Sequence, residues 1–395
     1  MTTSDGAGVL DGFHIVDTDA HFTEPPDFWT SRVPDSLKEK VPHVKRVDGI
    51  DRWFVNGDQD FGGVGLCIVD PDGNKHYDKG IAGMARFDDC HAAASSVQER
   101  VALLDELGLW AQVIYPNTGG ISSSVLVTKV QDNELRKLCV EIYNDAAADM
   151  QRESNGRLVP MGLLPMWDME AMAAEAQRCV EDLGLKGFTV ADKPEFIGLP
   201  SYLDPHWQPF LEVCNEGGAS LNFHIGGDPS ASPLLQFPWD DYGPETKVAI
   251  WTCLFSMSNA RTIANWCYSG LLDKYRDLKL VSVESGVGWL PYLLEAMEYQ
   301  LDEMMPNEGK KLQRRPKEYF RDHMYATFWF EDFGPRNVEA IGSDNVMIET
   351  DFPHPTCLFP HQEHLSSVAA SWSPETRRKV LQDNAAQLYR IELPS

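Results

Sequence analysis

"HIVDTDAHF", residues 14–22, begins with a short apolar, β-branched run and passes straight into Asp19-Ala20-His21. It reads as a β-strand, His14 to Asp17, that leads into an acid and an imidazole two residues apart. Side chains at i and i+2 of an extended segment point the same way, so both can reach one ion. Two later stretches repeat the arrangement. "ASLNFHIGGD", residues 219–228, runs apolar to Phe223 and delivers His224 before a Gly-Gly turn. "NVMIETDFPHP", residues 345–355, delivers Asp351, with Pro353 and Pro355 ending the strand. Ligand-type side chains at strand ends, with helical patterns between the strands, are how a metal site is built at one face of a barrel. Asp19, His21, His224 and Asp351 suit one divalent ion per chain, Zn²⁺ first, with Mn²⁺ or Fe²⁺ also compatible.

Outward from these stretches the strand-helix alternation is regular. Strands are expected at 111–116, 158–164, 186–190, 219–224, 279–284, 324–330 and 345–350, and helices at 97–109, 130–154, 168–183, 206–217, 288–305, 335–342 and 375–391. Eight strands, each followed by a helix, predict an α/β fold, a (β/α)₈ TIM-like barrel in one domain spanning 1–395. Two segments break the rhythm. Residues 38–96 hold "IDRWFVNGDQDF" (50–61), whose Asn-Gly pair marks a hairpin, and are expected to form an inserted cap of short strands. Residues 228–270 are expected to be an extra helical insertion after strand five. No Gly-rich phosphate loop follows an early strand, which counts against a doubly wound open sheet.

The 395 residues carry 60 acidic against 34 basic side chains, a formal charge of −26. That excludes a nucleic-acid phosphate backbone or an anionic membrane surface as partner. The opening "MTTSDGAGVLDGF" has no basic, apolar leader, and no stretch resembles a membrane span, so the chain is expected in the cytoplasm. Its eight cysteines form no C-x-x-C pair and read as reduced, mostly buried thiols.

From "VDTDAHFTEPPDFW" to "IETDFPHP" the chain resembles the amidohydrolase superfamily, in the branch typified by aminocarboxymuconate-semialdehyde decarboxylase and the γ-resorcylate and 5-carboxyvanillate decarboxylases. Members carry an H-x-H, D-x-H or E-x-H pair after strand one, a His after strand five, a His after strand six and an Asp after strand eight. The resemblance assigns Asp19 and His21 to the first pair, His224 to strand five and Asp351 to the final acid. The "TDFPHP" ending is similar to the family's, which adds His354 as a pocket residue. One departure stands out: "VESGVGWLPY" (283–292) keeps the family's glycines and proline but puts Glu284 where a catalytic histidine is usual. A carboxylate there can ligate a cation, orient water or accept a proton. A carboxylated lysine bridging a second metal is disfavoured, because Lys186 begins strand four rather than ending it.

The resemblance implies a non-oxidative decarboxylase of an aromatic or unsaturated carboxylic acid that needs no organic cofactor, with Asp351 protonating the carbon. The alternative is a hydrolase of a C–C, amide or ester bond, with Asp351 or Glu284 as base. The substrate is a small molecule in either case. Phe22 and Trp29 are candidates for an aromatic pocket wall, Arg32 for pairing with a substrate carboxylate, and Asn117 for a contact at the end of strand two. The resemblance also implies a homodimer or larger homo-oligomer.

Overall fold

The computed structural model describes residues 8–226, 241–332 and 334–394. Eleven strands run in chain order: β1 (Ile15–Phe22), β2 (His43–Val47), β3 (Ile50–Val55), β4 (Gln59–Gly62), β5 (Leu109–Pro116), β6 (Leu158–Pro160), β7 (Gly187–Thr189), β8 (Ser220–His224), β9 (Leu280–Val283), β10 (Met324–Phe328) and β11 (Val346–Ile348). Eight of them pair in the order β6-β5-β1-β11-β10-β9-β8-β7, every neighbour parallel. Gly162, just past β6, closes the ring. Its N–H donates to the Gly187 carbonyl at 2.9 Å, and its own carbonyl accepts from the Thr189 N–H at 3.1 Å. The sheet is therefore a closed (β/α)₈ barrel with no free edge.

Alternation along each strand separates two cores. Val16, Ala111, Val113, Val159, Val281, Val283 and Met347 fill the barrel interior, together with Ala385, Leu388 and Tyr389 from the C-terminal segment. Their outward neighbours Ile15, Ile114, Leu158, Leu280 and Ile348 pack beneath the surrounding helices. The helices begin where the sequence supplies caps. Ser96 accepts from the Glu99 N–H ahead of Val97–Leu107, Asp132 from the Glu134 and Leu135 N–H groups ahead of Asn133–Glu153, and Asp168 from the Ala171 N–H ahead of Met169–Glu181. At Gly187 a Cβ would overlap the Ser220 hydroxyl and lie 2.8 Å from Asn222 Nδ2, so only glycine lets β7 seat against β8.

β2, β3 and β4 form a separate antiparallel sheet. Asn56 and Gly57, with φ of 51° and 87°, turn the chain between β3 and β4. The Asp48-Gly49 turn between β2 and β3, with φ of 51° and 80°, is a second one that the sequence reading passed over. Trp53 of this sheet meets Trp29 edge-on, ring centroids 5.4 Å apart. Of the 228–270 stretch, residues 228–240 lie outside the described residues; the remainder contains the helices Pro244–Phe255 and Asn259–Ser269.

The first strand is longer than expected. It runs through Asp19 and His21 to Phe22, with a register irregularity between Asp17 and Ala20, because the His21 N–H finds the Phe352 carbonyl at 2.7 Å. Among the described residues no helix is long and apolar enough to cross a membrane.

Candidate metal centre

Four strand ends converge. Asp19 and His21 come from the irregular part of β1, and His224 is the last residue of β8. Glu284 and Asp351 follow β9 and β11, with backbone φ of 54° and 60°. Such left-handed conformations are unusual for side-chain-bearing residues, and here hydrogen bonds hold them. The Asp351 N–H donates to the Asp19 carbonyl at 2.8 Å, and the Glu284 N–H to Glu349 Oε2 at 3.0 Å.

The side chains meet nitrogen to nitrogen and nitrogen to oxygen. His21 Nε2 and His224 Nε2 are 3.0 Å apart. His21 Nε2 lies 3.7 Å from Asp19 Oδ1 and 3.5 Å from Asp351 Oδ1, and His224 Nε2 lies 3.5 Å from Asp19 Oδ1. His354 Nδ1 is 3.4 Å from Asp351 Oδ1 on one flank, and Glu284 Oε2 is 3.4 Å from His224 Nδ1 on the other. Donor atoms around an ion at about 2.1 Å lie about 3.0 Å apart in an octahedral arrangement and about 3.4 Å in a tetrahedral one. The observed separations, 3.0–3.7 Å, start in that range and end slightly above it, before any ion draws the donors in. Asp19 and Asp351 are fully buried, yet none of their four carboxylate oxygens has a hydrogen-bond partner among the described residues. Buried carboxylates without donors fit a cation.

The imidazoles are oriented for the same purpose. His224 Nδ1 faces the Ile225 carbonyl at 2.6 Å, which fixes the proton there and turns the Nε2 lone pair inward. His354 Nε2 lies 2.6 Å from Asn117 Oδ1. An amide oxygen only accepts, so the proton sits on Nε2 and the Nδ1 lone pair faces Asp351. The His354 ring stacks on His21, centroids 3.6 Å apart.

The charge balance points the same way. Burial first, then Glu284 and Asp19, push the Asp351 carboxyl well above its ordinary range; burial and Asp19 do the same to Glu349. Burial raises Asp19 against the pull of His224. Burial raises Glu284 to about 8, with His224 opposing it. Burial would lower His224, but Asp19 beside it outweighs that and lifts it to about 9. Four carboxylates crowded into one largely buried pocket are short of positive charge, and a divalent ion would supply it.

Glu349, which the sequence reading did not single out, is 2% exposed at the end of β11. An acid closing an otherwise apolar strand was the available signal. Asp17 and Arg100 were likewise missed. Asp17 Oδ1 accepts from the Thr350 N–H (2.9 Å), and its Oδ2 accepts from Thr350 Oγ1 (2.6 Å) and Gln112 Nε2 (2.8 Å). Arg100, fully buried, donates to Gln112 Oε1 (3.1 Å) and to the His21 carbonyl (2.7 Å). This chain of bonds ties β1 to the loop carrying Asp351.

Other candidates stand elsewhere. Arg32 pairs with Asp149 Oδ2 at 2.7 Å, so its charge is met by a helix rather than turned to the centre. Trp29 is fully buried and donates to the Cys139 carbonyl at 3.1 Å, and Phe22 belongs to the same apolar core; both do packing work there. Asn117 reaches the centre only through His354. Thr189, where a bridging lysine would stand, accepts instead from the Ser122 N–H at 3.2 Å.

Comparison with known proteins gives the family. Residues 89–391 match the amidohydrolase family. A γ-resorcylate decarboxylase from Polaromonas sp. is 26% identical over 306 residues, covering 74% of this chain and 86% of that protein. An amidohydrolase structure from Mycobacterium avium subsp. paratuberculosis superimposes with a TM-score of 0.70 at 18% identity, covering 96% of this chain and 99% of the other. A 5-carboxyvanillate decarboxylase from Novosphingobium aromaticivorans, solved with manganese and 4-hydroxy-3-methoxy-5-nitrobenzoic acid, does so with a TM-score of 0.65 at 17% identity, covering 99% and 100%.

Proposed function

Because the chain belongs to the amidohydrolase family, we propose that it is a metal-dependent, non-oxidative decarboxylase of an aromatic or unsaturated carboxylic acid. Asp351 carries this reading. It is fully buried, neither of its oxygens has a hydrogen-bond partner among the described residues, and burial with Glu284 and Asp19 holds the carboxyl well above the ordinary range, which favours its carrying the proton it hands on. Asp19, His21, His224 and one oxygen of Asp351 would hold a single divalent ion, which would supply positive charge for the substrate carboxylate. We assign Zn²⁺ first; the manganese in the Novosphingobium enzyme makes Mn²⁺ the alternative, and metal analysis of protein purified without added metal chooses between them.

With the carboxylate fixed, the second oxygen of Asp351 delivers its proton to the carbon bearing it. The C–C bond then breaks, its electron pair returns to the ring or double bond, and CO₂ leaves. One proton is consumed per turnover, and Asp351 regains it from solvent. His354, held by Asn117, stacks on His21 and limits where the substrate ring can lie. Beyond β4, the Gly65 carbonyl accepts from Asn117 Nδ2 at 3.5 Å, next to His354.

A hydrolytic reading draws on Glu284, whose carboxylate lies 3.4 Å from His224 Nδ1 and titrates near 8, as a base accepting a proton from water would. The two readings separate in D₂O. Metal-loaded protein given 2,6-dihydroxybenzoate and 5-carboxyvanillate should release CO₂ and place one deuterium at the carbon that bore it. Ester or amide cleavage without CO₂ would refute decarboxylation. Light scattering tests the homodimer or larger assembly that the resemblance suggests.

A further inference from the structure

Two residues past β1, Glu24 is buried, 1% exposed, and takes no part in the reaction above. Its carboxylate binds the turn that follows β5. Oε1 accepts the Asn117 N–H at 3.0 Å, and Oε2 accepts the Thr118 N–H at 2.9 Å and the Thr118 hydroxyl at 2.8 Å. Burial raises this carboxyl above its ordinary value, and the Thr118 and Asn117 donors pull it back. Burying an acid is costly unless it is hydrogen-bonded, and here all three bonds go to two consecutive residues. The first of these, Asn117, is the residue that sets His354. Its Oδ1 lies 2.6 Å from His354 Nε2, while the His354 ring stacks on His21, centroids 3.6 Å apart, and its Nδ1 faces Asp351 Oδ1 at 3.4 Å. Distances decide what holds that amide in place. Asn117 Nδ2 reaches Thr23 Oγ1 and the Gly65 carbonyl only at 3.5 Å each, the weak limit of a hydrogen bond. The backbone is gripped more tightly: Glu24 takes the N–H, and the Asn117 carbonyl accepts the Gly120 N–H at 3.0 Å.

We propose that Glu24 is a positioning residue for the centre, clamping the backbone at Asn117 so that the Asn117 amide fixes the ring and tautomer of His354 beside Asp351. A carboxylate accepts at both oxygens and an amide at one, so Glu24→Gln keeps the size but leaves either the Asn117 or the Thr118 N–H without an acceptor. The turn is then free to rotate at Asn117, and Oδ1 leaves His354 Nε2. With that bond gone, the imidazole proton is no longer confined to Nε2, and the lone pair that faces Asp351 is lost whenever the proton moves to Nδ1. Glu24 thus acts on the proton carrier through two intermediaries, Asn117 and His354, and touches neither substrate nor metal ligand.

The effect on turnover rests on the decarboxylase reading; the placement of His354 does not. A crystal structure of metal-loaded Glu24→Gln should show Asn117 Oδ1 out of hydrogen-bond range of His354 Nε2, and an Asn117–His354 pair that superimposes on the wild type overturns the inference. In turnover, Glu24→Gln should lower kcat about tenfold, the loss of roughly one charge-assisted hydrogen bond, with metal content unchanged. Asn117→Ala should lower kcat at least as much, and the double variant should be no worse than Asn117→Ala alone, because Glu24 acts only through Asn117. If Glu24 served stability alone, Glu24→Gln would lower Tm but leave the kcat of the folded, metal-loaded protein intact, or its loss would add to that of Asn117→Ala; either result overturns the inference. Should Glu24→Gln not fold, Thr118→Val removes a single bond to Glu24 Oε2 and should cost about threefold in kcat, a loss that again vanishes beside Asn117→Ala; unchanged kcat in Thr118→Val then overturns it. If the wild-type protein decarboxylates nothing, the functional reading fails, and the position of His354 in the variant crystal structures still decides the role of Glu24.

Discussion

Removing the metal should make the stability of this protein fall as pH rises. Without a cation, burial raises Glu284 from its ordinary 4.5 to about 8. The unfolded chain has already released that proton by about pH 6, whereas the folded chain keeps it until about pH 8. The folded state therefore binds more protons through this window, and its stability declines with pH, at about 1.4 kcal/mol per unit and tapering near the folded pKa. Between about pH 6 and about pH 8 the loss is about 2 kcal/mol. His224 acts in the same direction: burial lowers it, Asp19 raises it more, and its folded value of about 9 exceeds the ordinary 6.5. Its stabilisation is complete below 6.5 and is lost as pH climbs through 9. For 395 residues the entropy of unfolding, roughly 2.1 cal/mol/K per residue, converts the about 2 kcal/mol from Glu284 into a Tm decrease of about 2 °C. Differential scanning calorimetry of chelator-treated protein at matched ionic strength measures this. The metal-loaded protein should be nearly flat over the same window, because a bound ion would keep Glu284 ionised and the liganding His224 unprotonated throughout, and Glu284→Gln should make the metal-free slope shallower. A metal-free Tm that is level or rising from pH 6 to pH 8 would refute the charge-shortage argument for the site.

Three further outcomes follow from the same geometry. Wild-type protein should carry close to one divalent ion per chain, and His21→Ala and His224→Ala should each lose most of it in elemental analysis, since each removes one of a few donors. Asp351→Asn keeps the shape but not the proton, so turnover should drop by about a hundredfold or more while circular dichroism stays native. Gly187→Ala should cost about 1–3 kcal/mol in urea unfolding, because the added methyl group enters the space of Ser220 and Asn222 at the β7–β8 seam.

The barrel was legible because its signals are local and periodic. Apolar runs that end in Gly or Pro, with caps such as Ser96, Asp132 and Asp168 ahead of amphipathic helices, mark eight strand-helix units within a few residues of their observed bounds. The convergence of Asp19, His21, His224, Glu284 and Asp351 was also legible, since strand-terminal residues of a closed parallel barrel share one face. Adjacency in sequence misled where the direction of a side chain mattered. Trp29 and Arg32 follow β1 closely, but one turns into the core toward Cys139 and the other out to Asp149.

The sequence by itself determined the periods, the strand ends and the chemistry available there, because these depend on neighbours a few positions apart. Only the tertiary structure decided how that chemistry is set. Closure runs through Gly162 and Gly187, the proton on His354 is assigned by Asn117, and Glu349 is turned toward Glu284. Each of these is a contact between residues distant in the chain. Its energy depends on geometry accurate to a few tenths of an ångström, which no local pattern encodes.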